Sequence, residues 1–440
     1  MTLPVFNLAT DEGKAGFNAR LEHLRESTSA SGEPARVVAQ IIDDVRRDGD
    51  DALVRYMRKW TDPHFSADRI RVCEEDIAHA LEKLDPSMRE ALETAIDHVR
   101  VYQAHITPDD PNPVTIDGAE MGLRFVPVNS AGLAVPGGKA SYPSSVIMLG
   151  VPALVAGVKA SNISVVTPPP TRSGDEEVGD VSPLVLATCG LLGIERVYRI
   201  GGAQAMAALA LGTSSVESVD MIVGPGNVYT QLAKQQLSGV VGIDGFYGPS
   251  EIVTIADETA DPARVASDLI AQAEHDPGRC FLVTWLPAVI ESVTDELSRQ
   301  LVQRNRRDAI ETSLREWSGA ILTSDASQAI DIANIFAAEH VNLATADPHD
   351  TMSQMSNGGE YFLSDKTPVA AGDYFAGPSH CLPTGTTARF ASGVSAYTFL
   401  KRSGWVHYRN SMSDKTIAAI AKLAEAEGLD GHAASVRSRK

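Results

Sequence analysis

Cysteine is scarce in this chain: Cys73, Cys189, Cys280 and Cys381 are the only four in 440 residues, and none forms a C-x-x-C pair. That pattern argues against a disulfide framework or a cysteine zinc site and fits reduced thiols in the cytoplasm. Long apolar runs are missing too. The longest uncharged one, Val146 to Val158, is 13 residues and contains Gly150 and Pro152, too short to span a bilayer. Met1 to Asn18 has no basic segment followed by an apolar stretch, so no secretory signal is visible. Basic charge is in deficit, and the net charge of −19 would repel nucleic acid and anionic membranes. The expectation is a soluble, cytoplasmic chain, long enough for two or more domains.

What is present reads as α/β. Val37, Val38, Ile41, Ile42 and Val45 recur at helical spacing, Leu53, Tyr56 and Met57 continue it, and a second helical stretch runs over 75–103. From about Gly132 short β-rich runs alternate with helices: strands at Ile163–Thr167, Arg196–Ile200 and Met221–Val223, helices at 184–192, 203–211 and 227–237. A second series follows, with strands at Ile252–Ile255, Cys280–Trp285, Ala320–Leu322 and Val341–Ala344 and helices between them. Such alternation signals parallel sheets covered by helices. The predicted architecture is two tandem, incomplete Rossmann-like domains (132–250 and 251–372), a helical N-terminal region (1–131) joining the first, and a loop and helical tail (373–440). The tail helix, 412–427, stops at Gly428.

Gln272 and His275 lie three apart on a predicted helix, so both side chains leave one face. With Asp373 and His432 they form a plausible zinc shell, although the spacing alone also describes an ordinary helix face. Glu339-His340, at a helix end before a strand, pairs a carboxylate with an imidazole suited to proton transfer. Asp373 and His380 sit in Gly- and Pro-rich stretches where catalytic groups concentrate. Gly201-Gly202-Ala203-Gln204 and Gly224-Pro225-Gly226-Asn227 each end a strand and open a helix, where parallel sheets bind ligands. The G-x-G-x-x-G fingerprint is absent, and the same glycines would equally serve tight turns.

The motifs run in a fixed order: Val135-Pro136-Gly137-Gly138, Tyr142-Pro143-Ser144-Ser145, Gly201 to Ala205, Gly224 to Asn227, and Gly248-Pro249-Ser250-Glu251. Gln272-Ala273-Glu274-His275, Glu339-His340, Gly372-Asp373-Tyr374, His380 to Thr384 and His432 follow. Together they resemble the histidinol dehydrogenase family, zinc- and NAD-dependent enzymes of histidine biosynthesis. The resemblance implies one Zn2+ per subunit on Gln272, His275, Asp373 and His432. It implies His340 as general base and Glu339 as the group that activates water. Ser250, His380 and Glu427 would contact substrate beside the zinc ligands, and Gln204 and Asn227 would contact NAD. The family is a homodimer whose tail reaches the partner's site, so Glu427 and His432 would serve the other subunit. Two departures stand out. The family usually carries a tyrosine where this chain has Ala134, and small or aliphatic residues where it has Gly245-Phe246-Tyr247. Family paralogues oxidise other small polar alcohols, such as dihydroxypropanesulfonate, and form the second functional reading. A non-catalytic binding protein is the third, and the Glu339-His340 pair speaks against it.

Overall fold

The computed structural model describes residues 3–26, 32–137, 141–170, 180–275 and 277–439. Gly138 of the first glycine turn and most of the acidic loop after Pro170 lie outside them. The strands, in chain order, are β1 (Val5–Asn7), β2 (Val114–Ile116), β3 (Ala119–Pro127), β4 (Ala131–Ala134), β5 (Ile163–Val166), β6 (Arg196–Tyr198) and β7 (Met221–Val223). Then come β8 (Gly242–Ile243), β9 (Glu251–Ala256), β10 (Arg279–Thr284), β11 (Gly319–Leu322), β12 (His340–Ala344), β13 (Glu360–Leu363) and β14 (Leu400–Tyr408).

Two parallel sheets carry the fold, as the alternation predicts. The first is ordered β6-β5-β4-β7-β8 and the second β1-β11-β10-β9-β12-β13. Each reverses its strand order once, between β4 and β7 and between β9 and β12, the switch points of a doubly wound sheet. Burial on both faces explains why these strands read as continuous apolar runs. Along β5, β6 and β7, Val165, Val197 and Val223 enter one core while Val166, Tyr198 and Ile222 enter the other. The second sheet divides likewise, with Ile252 and Leu282 on one side and Val253 and Phe281 on the other. The apolar run at Val146 is the interior of a buried helix, Pro143–Ala156, closed by left-handed Gly157 at φ 102°. No helix among the described residues is long and apolar enough to cross a membrane.

The structure departs from the expected boundaries in three places. β1 pairs with β11, and Leu8, Phe17, Leu21 and Leu24 pack on the second sheet, so residues 3–26 belong with that domain rather than the first. A three-residue strand whose partner lies some three hundred positions away leaves no periodicity to read. Within the supposedly helical 1–131, β3 pairs antiparallel with β2 and with β14, making a third sheet. β14 in turn lies in the segment expected to be loop and helix. Its mostly exposed residues mix charged and apolar types, which hides the alternation. The tail forms two helices, Asp414–Ala426 and Asp430–Arg437, with a small core of Ile417, Ala421, Ala424, Ala433 and Val436, against which Met412 packs.

Candidate active site

A cavity of about 600 Å³ opens between the two parallel sheets. One wall is the carboxyl edge of the first sheet, where Pro136 follows β4 and Pro225, Gly226 and Asn227 follow β7. The facing wall is the amino edge of the second sheet, where Ser250 precedes β9, Glu339 precedes β12 and His340 begins it. The first wall obeys the rule for ligand crevices in parallel sheets, and the second inverts it. His275, Asp373 and His380 close the space.

Local structure places each side chain. The helix Ala326–Phe336 ends at Ala337 in a left-handed conformation, φ 45°, turning the chain so that Glu339 and His340 enter β12 at its buried edge. Glu339 Oε1 accepts the Glu251 N–H at 2.8 Å and faces Gln272 Nε2 at 3.4 Å. Burial, reinforced by the neighbouring Glu251 carboxyl, raises its pKa well above the usual carboxylate range. His340 Nδ1 stands 3.6 Å from Glu339 Oε1, too far for a firm hydrogen bond. Both ring nitrogens are buried without a partner. Burial, with His275 and His380 nearby, depresses its pKa to about 3, so the imidazole is neutral.

Gln272 is buried at the last turn of the helix Pro262–Ala273, and His275 follows just beyond it. Its bond to Glu339 uses the amide nitrogen and leaves the oxygen, the atom a metal would take. Asp373 comes from the short helix Val369–Tyr374, and burial pushes its carboxyl up to about 6. His380 Nδ1 donates to the Asp373 carbonyl at 2.9 Å, so Nε2 carries the lone pair that accepts the Ser145 hydroxyl at 3.1 Å. An amide oxygen, an imidazole and a carboxylate are donors zinc accepts, so the set fits the metal with a place left to fill. Among the described residues no three His, Cys, Asp or Glu side chains gather at one point. His432 and Glu427 are exposed on the tail helices and do not line this cavity.

Gln204 and Asn227 lie at a second cavity, of about 410 Å³, along the carboxyl edge of the first sheet. Trp60, Tyr229, Pro168 and Gly201 help to line it, and Asn227 lines both cavities. Gly201 cannot carry a side chain, because a Cβ would meet the Pro168 ring at 2.7 Å. Asn227 Oδ1 accepts the Thr230 N–H at 3.0 Å, so this residue also caps its helix. Gln204 is buried, with Nε2 3.9 Å from Met57 Sδ.

Sequence reasoning missed the polar groups behind these walls. Glu251 is fully enclosed; its Oε1 accepts the Gly385 N–H at 3.0 Å, and burial lifts its pKa to about 8. It stands opposite Arg279 in the β9–β10 register, and the guanidinium attracts both Glu251 and Glu339. Lys234 and Asp244 form a wholly buried ion pair at 2.5 Å that brackets the Gly224 turn: Lys234 donates to the Gly224 carbonyl, and Asp244 accepts the Gly224 N–H. Glu251 and Arg279 each stand at the head of an apolar strand, which was the signal available for that pair.

Residues 24–440 match the family model described as histidinol dehydrogenase. Histidinol dehydrogenase of Rhodopirellula baltica is 42% identical over 92% of this chain and 86% of its own length. The Bacillus subtilis enzyme is 40% identical, with 96% of each covered. The crystal structure of histidinol dehydrogenase from Elizabethkingia anophelis superposes with a TM-score of 0.89 at 30% identity, covering 99% of this chain and 98% of that one. Full-length agreement of this kind, in sequence and in fold, leaves one conclusion: the chain belongs to the histidinol dehydrogenase family.

Proposed function

We propose that this protein oxidises L-histidinol through L-histidinal to L-histidine, with NAD as electron acceptor, in the cytoplasm. The observation that carries this reading is His340: a neutral imidazole with both nitrogens unpartnered, beside Glu339, facing a cavity closed by His275 and Asp373. Gln272, His275 and Asp373 would hold zinc together with His432 of the partner subunit. That metal would orient an amino alcohol bearing an imidazole by taking its amine and ring nitrogens. NAD would receive the hydride in each of two successive oxidations, held along the first sheet's carboxyl edge by Gln204 and Asn227.

This chain's residues then divide the remaining work. His340 takes the alcohol proton as the carbon loses hydride, which a neutral ring with a free lone pair can do. Glu339, held by the Glu251 N–H and flanked by Gln272, orients the water that adds to the aldehyde. Ser250 and His380 line the substrate space; the His380 ring is fixed at both nitrogens and so presents one orientation. The enclosing walls keep the aldehyde from bulk water between the two steps.

The test is reduction of NAD by L-histidinol with zinc-loaded protein, repeated after chelation. Turnover that chelation abolishes is expected, and no reduction would sink the proposal. His340→Ala should stop turnover while zinc content stays at the wild-type level. Loss of the metal would instead make His340 a ligand.

A further inference from the structure

Hydrogen bonding does not orient the ring of His340. Both of its nitrogens are buried and unpartnered among the described residues, and the torsion that turns an imidazole has only broad minima. Packing must then set the plane of the ring. Its aromatic neighbour is Phe362, edge to face at 5.6 Å between centroids and 65° between planes, an arrangement aromatic pairs prefer. The register of β12 and β13 delivers that contact. His340 pairs with Glu360, so Phe362, two residues on, leaves the sheet on the same face. Phe362 is 2% exposed, shares a core with Ile252 and Val369, and does not line the cavity. Its outer end meets the chain at Gly372, where a Cβ would lie 2.6 Å from Cζ. That close backbone limits how far the phenyl ring can move.

We infer that Phe362 is a positioning residue: its ring fixes the plane of the His340 imidazole, and with it the line along which the base meets the alcohol proton. This rests on the reading of His340 as base given above. Proton transfer needs its partners within hydrogen-bond reach and aligned. A rotation of the imidazole that leaves its chemistry intact therefore still slows turnover. Substrate would be held by other groups, at Ser250, His380 and the proposed zinc donors. The loss should therefore fall on kcat and spare KM.

The experiment compares the full-length wild type with Phe362→Leu and Phe362→Met, which keep an apolar side chain but no planar ring. Met stays closer to the original volume and carries the same prediction if the Leu variant fails to fold. Leu297→Ala, a fully buried loss in the same core from the helix Pro287–Leu301, is the control for destabilisation. With zinc-loaded protein and L-histidinol, kcat should fall at least about tenfold in the Phe362 variants, with KM and bound zinc within about twofold of wild type. The control should keep its kcat. The 13C NMR signal of His340 Cε1, identified by its loss in His340→Ala, should be single and sharp in wild type and control. In the Phe362 variants it should split or broaden. Unchanged kcat, an equal fall in the control, a raised KM, lost zinc, or a His340 signal that stays single and sharp would each overturn the assignment. Failure of the wild type to reduce NAD with histidinol would remove the proposed activity, while the His340 signal would still judge Phe362.

Discussion

Replacing Lys234 by Met should be among the most damaging single changes outside the catalytic residues. Neither Lys234 nor its partner Asp244 exposes any side-chain surface. The ammonium is shared by Asp244, by the Gly224 carbonyl at 2.8 Å and by Gln231 Oε1 at 3.4 Å. Met has a similar length, so the space stays filled and the loss is mainly electrostatic. Asp244 would keep the Gly224 and Gly245 N–H donors, at 2.5 and 2.8 Å, but lose its counter-ion. Removing one member of a buried pair costs about 3–5 kcal/mol, a large share of a typical protein's stability. Urea unfolding of wild type and variant measures it.

The sign of the pH dependence follows from the same geometry. Burial already raises the Asp244 carboxyl above its ordinary value, and Lys234 opposes that rise. Without Lys234 the folded pKa climbs further above the unfolded one. Such a group contributes stability below its unfolded pKa and loses it as pH rises through the folded pKa. The variant's deficit should therefore be smallest in acid and widen toward neutrality. Adding Asp244→Asn, which removes the stranded charge and keeps an acceptor, should recover part of the loss. A deficit below about 1 kcal/mol, or a double variant no more stable than the single one, would refute the reasoning.

Other perturbations test other parts of the frame. Ala337→Gly should raise stability by about 1 kcal/mol in thermal unfolding, because φ 45° favours glycine. Gly278→Ala should lower bound zinc, measured by atomic absorption, since its Cβ would lie 1.9 Å from the Gln272 carbonyl and push the helix end that carries Gln272 and His275. Gly359→Ala would bring a Cβ within 2.5 Å of the Glu339 carbonyl, and turnover should fall at least tenfold, roughly the effect of a 1 Å misplacement of a catalytic group or less. Co-refolding the inactive variants His340→Ala and His432→Ala should restore about a quarter of wild-type activity, because each mixed dimer would hold one intact site if the tail serves its neighbour.

What could be read in the sequence was what is local. The strands β5, β7, β9 and β12 announce themselves because both faces are buried and most of their residues are apolar. Helical spacing predicts Gln272 and His275 on one helix face, but the helix ends at Ala273 and His275 lies in the turn beyond it. The pairing of β1 with β11 and of β3 with β14 joins segments far apart, and no window of sequence contains both partners. The same holds for Arg279 opposite Glu251, and for His380, whose ring is set by Ser145 from a helix more than two hundred positions earlier. Ser145 and Glu251 lay inside the quoted motifs, yet nothing local said what they touch. The amino edge of the second sheet was the larger surprise. Parallel sheets usually work from their carboxyl ends, and Glu339 and His340 do not.

That inversion has a physical rationale. At the carboxyl edge of the first sheet, helix N-termini after the Gly201 and Gly224 turns offer N–H groups and a favourable dipole, which suits phosphates of a dinucleotide. Proton transfer needs the reverse: imidazole and carboxyl groups shielded from such fields. The amino edge of the second sheet offers this, with Glu251 and His340 on adjacent strands, Glu339 just before His340, and Arg279 opposite Glu251 as the balancing charge. Under the proposed function, opposing one edge to the other would let a single cavity hold an anion-binding half and a proton-handling half. The three proposed zinc donors sit on the second half, from the end of the helix Pro262–Ala273 and the turn after it and from Val369–Tyr374. A fourth donor from the partner's tail, whose described residues form a small core of their own, would close the cavity only on assembly. Zinc should then bind the dimer more tightly than the monomer, and dilution should release metal and activity together.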